Sequence, residues 1–195
     1  MRVIKTELFK YDELSEAAQE VARDWFRRAS DSDTYTQDEI VESFKAVFKA
    51  AGLRLSAYSI GGYSYSSVDF DIGDAGDLKG KRAMAWLENN LFAGLRITAH
   101  EFNKNKKNYM RYGNEYRIGK VKPCALTGVC FDEELLHDLK SSVKDGMTLK
   151  DSFSALADKA RQMIEEAYEW EREDEIVVKN IEANEYEFTE DGKRA

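Results

Sequence analysis

The stretch "DFDIGDAGDLKGKR" at positions 69–82 sets four carboxylates, Asp69, Asp71, Asp74 and Asp77, among three glycines and exits through Gly80, Lys81 and Arg82. Two chemistries use such a segment. A phosphate cradle needs Gly, four residues and then Gly-Lys-Ser/Thr, because the glycines present backbone amides to the phosphate and the hydroxyl ligates magnesium. Here the first of those positions is Ala75 and the last is Arg82, while Asp74 and Asp77 repel a phosphate. A calcium loop needs hard oxygen ligands, which the aspartates supply, but the EF-hand order of acids, glycine and closing glutamate is absent. What remains is a turn from a strand into a helix, its aspartates in solvent.

Cys124 and Cys130 with His137 offer three metal-ligating side chains, yet zinc sites favour closer cysteine pairs and a fourth ligand, which is missing nearby. A nucleophilic pair drawn from either cysteine and His100 or His137 has no motif that places its members together. The expectation is therefore a protein with no catalytic residue, no metal and no cofactor.

Two segments suit recognition better. In "KKNYMRYGNEYR", the side chains Lys106, Lys107, Tyr109, Arg111, Tyr112, Tyr116 and Arg117 interleave aromatic rings with cations. Those are the ingredients of an interface hot spot or of a platform that stacks single-stranded bases. The plainer alternative is a solvated loop whose tyrosines pack back on the domain. Further on, Glu165, Glu166, Glu169, Glu173 and Asp174 belong to a run of twelve acids between Glu165 and Asp191, against Arg172 and Lys179. Such an array is either a solvated helix face or an imitation of phosphates for a partner that binds nucleic acid.

The elements that must carry these residues read as α+β, an antiparallel sheet with helices packed on one face. Ser15 caps an amphipathic helix bearing Ala18, Val21, Ala22, Trp25 and Phe26. Thr36 and Glu39 form a capping box for a second helix, with Phe44 and Phe48 inward and Gly52 as its stop. Strands are expected over 2–9, 53–59, 63–72, 95–102 and 116–121, with a bulge near Ser66 and Ser67 and a mobile loop after Phe102. Leu149, Phe153, Leu156, Ala160, Met163, Ala167 and Trp170 recur at 4-3 spacing in a helix expected over 148–181, packed on its own sheet or forming a homodimer seam from Leu149 to Trp170. A terminal edge strand follows, and the whole reads as one domain over 1–195. Trp25, Phe44, Phe48, Trp86, Phe153 and Leu156 are the expected core.

With 43% apolar residues over 195 positions, the chain has enough apolar material to fold without metal or disulfide staples. A net charge of -8 disfavours direct nucleic-acid binding, which relies on basic excess. Lys104 to Lys122 nonetheless holds seven basic residues against Glu115. No apolar run is long enough for a membrane span and the first residues lack the core of a signal peptide, so a cytoplasmic location with reduced thiols is expected.

Four segments, "LFKYDELSEAAQEVARDWFRR", "AMAWLENNLFAGLRI", "KPCALTGVCFDEELLHDL" and "ANEYEFTEDGKR", together resemble an uncharacterised family of bacteriophage and prophage proteins. The resemblance implies a phage accessory protein, and anti-CRISPR proteins supply the analogy for its action: a non-enzymatic inhibitor of a host protein or nucleoprotein complex. The alternatives are an enzyme whose site the fold assembles, and a dimeric structural or regulatory component.

Overall fold

The computed structural model describes residues 7–31, 34–60, 66–111 and 116–195. The fold is α+β, and the chain divides into two compact units, Thr36–Ile164 and a discontinuous one made of Met1–Tyr35 and Glu165–Ala195. Charge is segregated between them. The discontinuous unit holds 20 acidic and 10 basic residues, net -10, whereas the central unit holds 17 acidic and 19 basic, net +2.

In the central unit, α2 (Tyr35–Ala50) ends at Gly52, whose φ of 72° is the left-handed conformation glycine tolerates best. The helix begins at Tyr35, one residue before the Thr36 of the expected capping box. The strands β1 (Arg54–Ser59) and β2 (Ser67–Asp71) pair antiparallel. Their bulge lies in β1, between Leu55 and Ala57, and not at Ser66 and Ser67. Leu55 and Tyr58 are three apart, so an extra residue is what puts both on the face of Phe70 and Val68. Of the residues before β2, 61–65 lie outside those described.

One face of this sheet meets helices. Phe70 packs on Phe48 of α2 at 5.2 Å and on Phe153 of α7 (Leu149–Glu171) at 5.9 Å, and Phe48 and Phe153 meet at 5.3 Å between centroids. Phe44, Phe48, Phe153 and Leu156 are completely buried, as expected of the core, while Trp25 and Trp86 are only half-buried. After Asp71 the aspartate-rich segment forms a 3-10 turn (Gly73–Asp77) that leads into α3 (Gly80–Leu87), which continues through a π turn (Glu88–Phe92) into α4 (Ala93–Leu95).

The strand expected over 95–102 is overturned. Arg96 makes an isolated bridge to Val121, and Thr98 then caps α5 (Ala99–Tyr109). The Thr98 hydroxyl accepts from the Glu101 amide at 3.2 Å, and the Thr98 amide donates to Glu101 Oε2 at 3.0 Å. This reciprocal pair satisfies amides that a helix start would otherwise leave orphaned, so it outweighs a short apolar alternation. The mobile loop expected after Phe102 is accordingly mostly helix, and 116–121 forms no strand but the bridge at Val121, flanked by the Ile97 amide donating to the Lys120 carbonyl at 2.8 Å and the Gly119 amide donating to the Ile97 carbonyl at 2.9 Å. The helix α6 (Phe131–Lys144) completes the unit.

In the discontinuous unit, Ser15 Oγ accepts from the Ala18 amide to cap α1 (Glu16–Ser30). The helix expected over 148–181 is two, because Arg172 and Glu173 separate α7 from α8 (Asp174–Ala183). Tyr11, Leu14, Ala18, Ala22, Val177, Ile181 and Phe188 form one buried cluster. In place of an edge strand, Phe188 makes isolated bridges to Phe9 and Arg194; of the expected strand over 2–9, residues 1–6 lie outside those described. Gly192 has φ 79°, and a Cβ there would stand 2.1 Å from the Ala18 carbonyl oxygen.

Candidate functional site

Within the discontinuous unit, α1, the end of α7 and α8 border an open groove of about 860 Å³. Trp25, Phe26, Trp170, Ile176 and Tyr186 give it apolar walls, and Lys179, Asn180 and Asn184 supply polar groups. Trp25 sets one wall by meeting Tyr186 edge-on at 5.2 Å and Phe188 at 5.8 Å. Trp170 is 55% exposed and Tyr168 50%. Their positions are fixed by a polar latch: Arg27 Nε donates to the Arg172 carbonyl at 3.2 Å, Arg172 pairs with Asp31, and the Tyr168 hydroxyl donates to Asp31 at 3.2 Å. The Arg172 guanidinium also lies 4.9 Å over the Tyr168 ring.

The acidic residues singled out in the sequence divide by role. Asp174 pairs with Arg27 and lies 3.9 Å from Arg23, so it serves the fold. Glu165, Glu166, Glu169 and Glu173 are exposed, Glu165 and Glu166 having partners within the chain. Leu149, Phe153, Leu156 and Ala160, the seam of a conceivable dimer, are wholly buried in their own chain, whereas Trp170 at the same spacing is not.

The aromatic-basic residues lie in the central unit. Lys106 and Lys107 are exposed on α5, and Arg111 follows it in a 3-10 turn. Tyr109 and Tyr116 stack on each other, 4.7 Å apart and 25° from parallel. Arg117 is exposed, its carbonyl accepting from the Lys120 amide at 3.0 Å, and Tyr112 lies outside the described residues. Glu101 is held down to about 2 by the Lys122 ammonium, which donates to it at 2.6 Å, and then by the Thr98 amide. A depressed carboxylate contributes stability above its ordinary value of 4.5 and loses it as pH falls through about 2. Acid titration followed by NMR is expected to show the Thr98 amide losing protection across that window, with Glu101 titrating near its lower end.

Both cysteines are free thiols, Cys124 half-buried and Cys130 exposed. Burial, with Cys130 and the carboxylates of Glu133 and Asp132 nearby, pushes the Cys124 thiol up to about 11, leaving it protonated at neutral pH. Among the described residues, no hydrogen bond joins a cysteine to a histidine. The aspartates at 69, 71, 74 and 77 are exposed, and Asp71 accepts from the Gly73 amide at 2.9 Å as a turn would require. Three or more His, Cys, Asp or Glu placed to hold one metal ion are not found among the described residues. Nor is any helix there long and apolar enough to cross a membrane.

Sequence reasoning passed over Asp132. Its buried carboxylate accepts from the amides of Leu126 at 2.8 Å and Thr127 at 2.7 Å, and from the Thr127 hydroxyl, tying the loop before α6. The signal was an acid in the first turn of a helix, behind a glycine-containing loop. No protein-family model, curated protein or solved structure matches this chain.

Proposed function

We propose that this protein acts by binding, as a phage-encoded accessory protein that occupies a basic, nucleic-acid-handling surface of a host defence complex in the cytoplasm. The observation that carries the reading is Trp170. A tryptophan 55% exposed on a groove, in a unit of net charge -10, combines an aromatic anchor with an acidic surround. Asn180 and Asn184 in the same groove offer donors and acceptors to a peptide backbone. The phage-like segments supply the setting, and the acidic surround favours a partner surface that otherwise meets phosphate.

The test is affinity capture from bacterial lysate with the wild-type chain and with Trp170→Ala, each captured protein being identified and its affinity then measured with purified material. The expected partner is a nucleic-acid-binding protein. Its affinity falls about 30-fold for Trp170→Ala, the scale of a hot-spot side chain of about 2 kcal/mol. Affinity also weakens as salt is raised, since exposed charges are screened beyond about 8 Å at physiological ionic strength. Equal affinity for the variant, or binding indifferent to salt, sinks the reading.

A further inference from the structure

We infer that the outward face of α5 is a contact surface for double-stranded nucleic acid. Among the described residues, α5 is the only helix of eight or more residues with no buried side chain. Its half-buried residues, Glu101, Phe102, Asn105 and Tyr109, share one side. The opposite side presents His100, Asn103, Lys104, Lys107 and Asn108, spaced 3-1-3-1, so all five lie on one stripe, and Arg111 follows in the 3-10 turn after the helix. That stripe carries no acid. The helix's one carboxylate, Glu101, is turned to the other side and held by Lys122 and Thr98. Lys104, Lys107 and Arg111 form no ion pair with a described residue.

Charge and chemistry agree on the occupant. Lysine and arginine neutralise phosphates, and asparagine amides match the donor-acceptor pair on an adenine edge in the major groove, which admits one α-helix. The net charge of -8 does not oppose this, because the acids are concentrated in the discontinuous unit and the unit containing α5 carries +2. A single strand is the poorer fit. Stacking needs open aromatic faces, and Tyr109 is already stacked on Tyr116 and tilted against Phe102 at 6.1 Å.

Fluorescence anisotropy of the full chain against a labelled DNA duplex of about two helical turns tests this. With about three phosphates neutralised by Lys104, Lys107 and Arg111, affinity is expected to fall about 40-fold between about 50 and 200 mM salt. In the double variant Lys104→Gln, Lys107→Gln the same change of salt should cost only about 4-fold, with weaker binding throughout. Lys49→Gln, exposed on α2, should behave as wild type. Three results would each overturn the proposal: no duplex binding at the lower salt, an unchanged salt slope in the double variant, or tighter binding of a single strand.

Discussion

Replacing Phe153 by alanine is expected to lower the free energy of unfolding by about 3–5 kcal/mol, the usual cost of emptying a phenylalanine site in a packed core. The ring is completely buried and lies 5.3 Å from Phe48, 5.9 Å from Phe70 and 6.1 Å from Trp86. Those neighbours belong to α2, β2 and α3, three elements that meet at this one side chain. A void there cannot be closed by a single rotamer change, which puts the cost toward the upper part of the range. Urea unfolding gives the number, and a loss under about 1 kcal/mol would mean that the ring is not the centre of the core.

Gly192→Ala is expected to cost about 2–5 kcal/mol, combining the strain of a left-handed backbone with overpacking. The clash is with backbone: the added methyl would sit 2.1 Å from the Ala18 carbonyl oxygen and 2.8 Å from its carbon, neither of which can swing aside. Relief requires moving the turn closed by the Gly192 amide on Thr189, and with it Phe188, which pairs with Phe9 at 2.8 and 2.9 Å. Hydrogen exchange at Phe9 and Phe188 should accelerate accordingly. Gly52→Ala provides the comparison. Its φ is 72° but nothing lies within 4 Å of the new methyl, so only the conformational part, about 1–2 kcal/mol, should appear. Equal losses at the two glycines would refute the clash.

Helices with a capping residue and a one-sided stripe were legible in the sequence: Ser15 opens α1, Gly52 stops α2, and the 4-3 spacing from Leu149 gives α7. The alternation of Leu95 and Ile97 misled, because a strand needs a partner long enough to sustain its ladder and Val121 offers only one bridge. The pattern Thr98-x-x-Glu101 held the correction, a capping box inside an apparent strand. Trp170 shows a different limit. Periodicity says which residues share a face but not where the surface opposite them ends, so a position in register with Phe153 can stand in solvent. The groove residue Trp25 reads as core for the same reason. The acidic run was visible by count. Its union with the first 35 residues in one unit was not, since that pairing spans most of the chain.

That union imposes an order on biosynthesis. α1 leaves the ribosome early, yet its partners Val177, Ile181 and Phe188 follow only after the whole of Thr36–Ile164 has been made. At about 5–20 residues per second the wait is on the order of ten seconds, far longer than a helix or a small core needs to form. The central unit is contiguous and can condense meanwhile, whereas Ala18, Ala22, Trp25 and Phe26 stay uncovered on the nascent chain. A ribosome that stalls within α8 therefore releases a product with an intact central unit preceded by a bare aromatic helix, the kind of surface that chaperones and proteases recognise.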